Sequence, residues 1–134
     1  MVSAAERELL AAIEAGGAGV ERFGHREHLL VTFVLLVQTG DLALAALRLR
    51  AALRRFAANR GVPGKYHETL TWAWLALVDD RRRRAPSASF DELLRAFPEL
   101  LDAERGALAD HYDVAAITRS ERARAGFVLP GGGA

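Results

Sequence analysis

The chain contains no cysteine. That excludes disulfides, thiolate metal sites and thiol nucleophiles, and it fits a reducing cytosol. Charge of one sign is also lacking. Eighteen basic residues face seventeen acidic ones, for a formal net charge of +1. Such a balance argues against a nucleic-acid wrapper or an acidic interaction tail. Long hydrophobic runs are missing as well. The longest, Leu29 to Val37, is interrupted by Thr32 and is far too short to span a bilayer. The first residues, Met1 to Glu6, show no basic-then-apolar signal pattern. The expectation is a soluble, cytoplasmic protein with no membrane or nucleic-acid partner. Glycine-rich phosphate loops, Gly-x-Ser-x-Gly and zinc-ribbon spacings are absent too. Lysine occurs once, as Lys65 beside Tyr66-His67-Glu68, whereas the other basic residues are all arginine. A compact ammonium retained at that spot is a candidate ligand contact.

What remains is mostly Ala and Leu within a hydrophobic fraction of 51%. At 134 residues the chain is expected to form one helical domain, 1–134, with 126–134 an irregular tail. Ser3 and Glu6 make a capping box ahead of the stripe Leu9, Leu10, Ile13. A second helix is expected from His25 to Thr39, apolar nearly all round and stopped by Gly40. Asp41 caps a third, Leu42 to about Asn59, before Gly61-Val62-Pro63-Gly64. The fourth is expected from about Lys65 to Arg82, and Arg81 to Arg84 suit its negative dipole end. Ser89 and Glu92 form another capping box, and Pro98 breaks or restarts the chain. A sixth helix is expected over roughly Glu99 to Tyr112, with Asp113 or Ser120 capping a last turn or two. No strand pattern stands out. The fold class is therefore all-α: a compact bundle of about five to six helices.

Two motifs carry the chemistry, His25-Arg26-Glu27-His28 and Tyr66-His67-Glu68-Thr69. Short links between the second, third and fourth helices make sequential neighbours antiparallel. The second and fourth helices are then parallel in an up-down core, and both motifs lie at one end. His25 and His28, three apart, share a helix face. With His67 they give three imidazole nitrogens, and Glu68, or Glu27, would complete the set. A divalent transition metal such as zinc, iron, copper, manganese or nickel accepts such ligands. On that reading His25, His28, His67 and Glu68 are metal ligands. Glu68 doubles as general base, and Tyr66 and Lys65 contact a small-molecule substrate undergoing oxidation or hydrolysis. Two helix N-termini with Arg26 and Lys65 would instead favour an anion. The second reading is accordingly a pocket or sensor for an anion or small ligand without metal. A third is a helical interaction protein in which these side chains only hold the fold.

His111 reads as a surface histidine at a helix end, and Arg119, Arg122 and Arg124 as a solvated face. One of Trp72 and Trp74 fills the core, and the other is free to line a pocket. Phe127 to Pro130 would fold back as an anchor. An exposed apolar side on the first or third helix would suggest a homodimer. The combination of Phe23, His25, His28 and Leu29 with Tyr66, His67, Glu68 and Thr69 resembles a group of small bacterial all-helical proteins of no established activity. The resemblance implies a shared site in the middle of the chain and no named reaction.

Overall fold

A computed structural model describes residues 2–131, and all the regular structure among them is helical. Seven α-helices occur there: α1 (Ala4–Glu14), α2 (His25–Thr39), α3 (Leu42–Asn59), α4 (Glu68–Arg84), α5 (Phe90–Ala96), α6 (Val114–Arg119) and α7 (Glu121–Ala125). Three short 3-10 turns punctuate them, at Pro63–Lys65, Pro98–Leu100 and Ala107–Asp110. Residues 132–134, the end of the expected tail, lie outside the described residues.

Local chemistry sets most helix ends. The Ser3 side chain accepts from the Glu6 amide while Glu6 reaches back to the Ser3 amide, and Ser89 and Glu92 do the same for α5. Asp41, Asp113 and Ser120 cap α3, α6 and α7 through their side-chain oxygens. Each such cap is worth about 1 kcal/mol. Gly40 ends α2 in the left-handed region at φ 62°, where a side chain would be strained.

The core is built around α2. Every residue from Leu29 to Leu36 is buried, which explains why its pattern is apolar all round. Helices α1, α3 and α4 all pack on it. At about 1.5–3 kcal/mol per fully buried large apolar side chain, α2 is the largest hydrophobic contributor in the fold. The ring of His25, at the start of α2, meets Trp74 of α4 edge-on with centroids 4.5 Å apart. This contact brings the N-terminal part of α4 alongside the start of α2.

Two expectations need correction. The fourth helix does not begin at Lys65. Pro63–Lys65 is a 3-10 turn, Tyr66 and His67 are extended, and α4 starts at Glu68. His67 is thus the N-cap and not a helical residue. The expected helix over Glu99 to Tyr112 is replaced by two 3-10 turns. Asp102 Oδ1 accepts from the amides of Glu104 and Arg105, which competes with helix formation. The turn then folds back so tightly that a Cβ on Gly106 would lie 2.1 Å from the Glu99 carbonyl oxygen. Only glycine fits there.

Candidate functional site

The starts of α2 and α4 line one cleft of about 490 Å³. His25, His28, Lys65, Tyr66 and His67 all contribute to its wall, with Phe23, Leu53 and Trp74 among the apolar residues. The motifs therefore meet. What they do there differs from one side chain to the next.

His67 is fully used. Its Nδ1 accepts the Leu70 amide at 3.1 Å, capping α4, and its Nε2 lies 2.8 Å from the Ile117 carbonyl. A carbonyl only accepts, so Nε2 carries the proton and Nδ1 the lone pair. Burial pushes the imidazole below its ordinary pKa. The Ile117 carbonyl opposes that shift and the nearby Arg124 charge adds to it. Protonating Nδ1 would also oppose two donors across the cap.

Glu68 is equally committed. Its Oε1 accepts from Tyr66 at 2.6 Å and its Oε2 from the Trp72 indole at 3.0 Å. Arg50 of α3 places Nε 3.0 Å from Oε1 and 2.9 Å from Oε2, and Arg54 lies 4.0 Å away. Burial opposes ionisation of this carboxylate. The hydrogen bonds from Arg50, Tyr66 and Trp72 outweigh it and hold the group below the usual carboxylate range. Burial in turn raises Tyr66, with the Glu68 hydrogen bond adding to the shift.

Thr69 completes the same fastening. Its hydroxyl lies 2.7 Å from the Ala123 carbonyl and 3.0 Å from that of Gly126, and it accepts the Val128 amide at 3.0 Å. Tyr112 donates to the Val128 carbonyl at 2.7 Å. The tail thus anchors at Val128, which is buried, while Phe127 is half exposed. Tyr66-His67-Glu68-Thr69 joins α4 to α3 on one side and to the C-terminal segment on the other.

In the first motif, His25 Nε2 lies 2.8 Å from the Leu100 carbonyl, so it is the donor, and Nδ1 has no hydrogen-bond partner among the described residues. Glu27 accepts the Gly24 amide at 2.8 Å. Arg26 pairs with exposed Asp91 at 2.8 Å. His28 alone has no hydrogen bond from either ring nitrogen to any described residue, and it lines the cleft. Burial, reinforced by neighbouring His25, lowers its pKa to about 4. Near neutrality the ring is an uncharged donor and acceptor.

The four-ligand set expected from the sequence is consequently not assembled. Among the described residues, no group of three or more His, Asp or Glu side chains is disposed to hold a metal ion. His67 and Glu68 are spent on structural bonds. The unspent nitrogens are Nδ1 of His25 and both nitrogens of His28. Lys65 is exposed and without an ion pair among the described residues. Sequence reading missed Arg50, Leu100 and Ile117 as partners of the motif side chains. Only the four-residue spacing of Glu68 and Trp72 signalled one such contact.

The remaining sequence candidates fall elsewhere. His111 is exposed at the end of a 3-10 turn, as expected. Arg124 donates to the carbonyls of Gly64 and Thr118, bracing the C-terminal segment. The run Arg81 to Arg84 is paired with Asp79, Asp80 and Glu99. No helix among the described residues is long and apolar enough to cross a membrane. No protein-family model, curated protein or solved structure matches the chain.

Proposed function

We propose that the chain binds a small organic molecule with an anionic group in the cleft between the starts of α2 and α4, without a metal. One observation carries this reading: His28 faces the cleft with its hydrogen-bonding capacity unused, while the other motif side chains largely hold the fold together. His28 is partly buried and its ring nitrogens stay open to the cleft, so they are available to what enters it.

The charge distribution supports an anion. Lys65 lines the wall without an ion pair among the described residues, and Gly24 at the start of α2 has no side chain to cap the helix, although Glu27 takes up the Gly24 amide there. A helix N-terminus carries positive partial charge and free amides that suit a carboxylate or phosphate. Among the described residues that line the wall, Glu104 is the one acidic side chain. Phe23, Leu53, Leu70 and Trp74 suit an apolar body attached to that group. Neutral His28 would accept or donate one hydrogen bond to the ligand.

Thermal unfolding with benzoate, hexanoate, phenyl phosphate and inorganic phosphate tests this. A ligand present at 100 times its Kd adds about 2.7 kcal/mol. At least one organic anion should raise the melting temperature, and His28→Ala and Lys65→Ala should each abolish the rise. Unchanged melting with all four, or an equal rise in the variants, contradicts the proposal.

A second reading keeps a metal. His25 is held through Nε2–H by a carbonyl, an arrangement that commonly orients a histidine for ligation through its other nitrogen. His25 and His28 would then supply two nitrogens to zinc, iron, copper or manganese, and substrate or water would supply the rest. Elemental analysis of untagged protein separates the readings. A stoichiometric metal lost in His28→Ala favours this one.

The outer face of α3 favours a second copy of the chain as a further partner. Leu44 and Leu47 there are 52% and 60% exposed. Sedimentation of Leu47→Glu against the unaltered chain tests a dimer through that face.

A further inference from the structure

A second cleft of about 450 Å³ lies along another face of α4, lined by Trp72, Ala76, His111, Tyr112, Phe127 and Pro130 among others. Its volume falls within the range of roughly 300–1,000 Å³ typical of small-ligand pockets. Three aromatic side chains contribute to its wall. Phe127 is 49% exposed there, although its neighbour Val128 is buried and bonded on both sides of its backbone. The anchoring at Val128 fixes the position of Phe127 before any ligand arrives.

The polar groups of the lining narrow the ligand class. The Trp72 indole N–H is bonded to Glu68 and the Tyr112 hydroxyl to Val128. Asp80 pairs with Arg81 at 2.7 Å and with Arg84 at 3.3 Å, and Arg81 also reaches Glu99 at 3.1 Å. A charged ligand would have to displace these pairs, whereas a neutral one leaves them intact. His111 is the exception: its ring has no hydrogen bond to any described residue. We propose that this cleft is a second binding site, for an uncharged aromatic molecule of two or three rings that stacks against Trp72 and Phe127 and places one hydrogen-bonding group at His111. It is independent of the anion cleft, since the two share Leu108 and no polar side chain.

The probe is N-phenyl-1-naphthylamine, a neutral aromatic fluorophore, titrated into the full chain. Saturable one-to-one enhancement is expected. Ala76→Trp should weaken binding at least tenfold, because Ala76 is exposed on α4 and a large ring there fills the cleft. Phe127→Ala should weaken it several-fold, and its half-exposed position spares the fold. His28→Ala, in the other cleft, should bind like the unaltered chain. Circular dichroism verifies that each variant remains helical. The proposal is overturned if no saturable binding occurs up to the probe's solubility. It is overturned equally if Ala76→Trp and Phe127→Ala both bind as the unaltered chain does, or if only His28→Ala loses binding. Sedimentation covers the other occupant: a dimer that Ala76→Trp converts to monomer makes the cleft an interface between copies, and the proposal fails.

Discussion

The His67 imidazole donates from Nε2 to the carbonyl of Ile117, fifty residues further along the chain, at 2.8 Å. The same ring caps α4 through Nδ1. One side chain therefore starts a core helix and holds the C-terminal segment against it. A histidine that the sequence offers as a metal ligand is here a neutral structural bracket.

His67→Ala is expected to destabilise the fold by about 3 kcal/mol. It removes a cap worth about 1 kcal/mol, takes one of two donors from the Ile117 carbonyl, which keeps the Ser120 amide, and opens a void. His28→Leu should be neutral or stabilising by up to about 1 kcal/mol, because it replaces an unpaired polar ring with an apolar group of similar size. Urea midpoints of the two variants measure the contrast. Equal losses would contradict the assignment of separate duties.

Glu68→Ala is expected to cost about 3 kcal/mol, since it strands the partly buried Arg50 and leaves two hydrogen-bond donors unpaired. A double-mutant cycle with Arg50→Ala should return a coupling of about 1–2 kcal/mol. Additive effects would mean that the two side chains do not act together.

Thr69→Val preserves shape and removes the hydroxyl that serves the backbones of Ala123 and Val128. The expected loss is about 2 kcal/mol. Amide exchange at Val128 should accelerate more than exchange in α2. Unaltered exchange there would show that the tail is held by packing alone.

Acid should weaken the fold in two successive windows. The folded pKa of His28 lies near 4, below the usual 6.5, so the unfolded chain binds the proton first as pH falls. Its contribution is complete above pH 6.5 and is lost as pH drops towards 4. The loss is about 2 kcal/mol once partial exposure of the ring is allowed for. His67 shifts in the same direction and acts in the same sense. Glu68, also lowered, keeps its contribution above its ordinary pKa of 4.5 and loses it below. Urea midpoints from pH 7.5 to 4.5 should fall, and less steeply in His28→Leu. A flat profile would contradict the burial of neutral His28.

Much of the fold was legible because local signals and core pattern agree. Ser3 with Glu6, Asp41 and Ser89 with Glu92 announce helix starts through bonds to residues three positions away. The uninterrupted apolar stretch from Leu29 announces a helix buried on every side. The 3-10 path in place of a helix over Glu99 to Tyr112 was not legible, because Gly106 is required by a close approach to Glu99 that depends on the tertiary path. That the two motifs meet followed from short connections. Their duties did not, because Arg50, Leu100 and Ile117 are distant in sequence and apply no local pattern to His25, His67 or Glu68. Nor does a histidine's residue type reveal which of its nitrogens is already bonded.

The most direct test of the account is ¹⁵N NMR of the imidazole nitrogens during titration with benzoate and phenyl phosphate at pH 7. The His28 ring nitrogens should shift saturably with at least one of these anions, while His67 stays in its Nε2–H form with little change. If His28 is unmoved, or if the His67 nitrogens respond in its place, His28 is not the ligand contact and the proposed function is wrong.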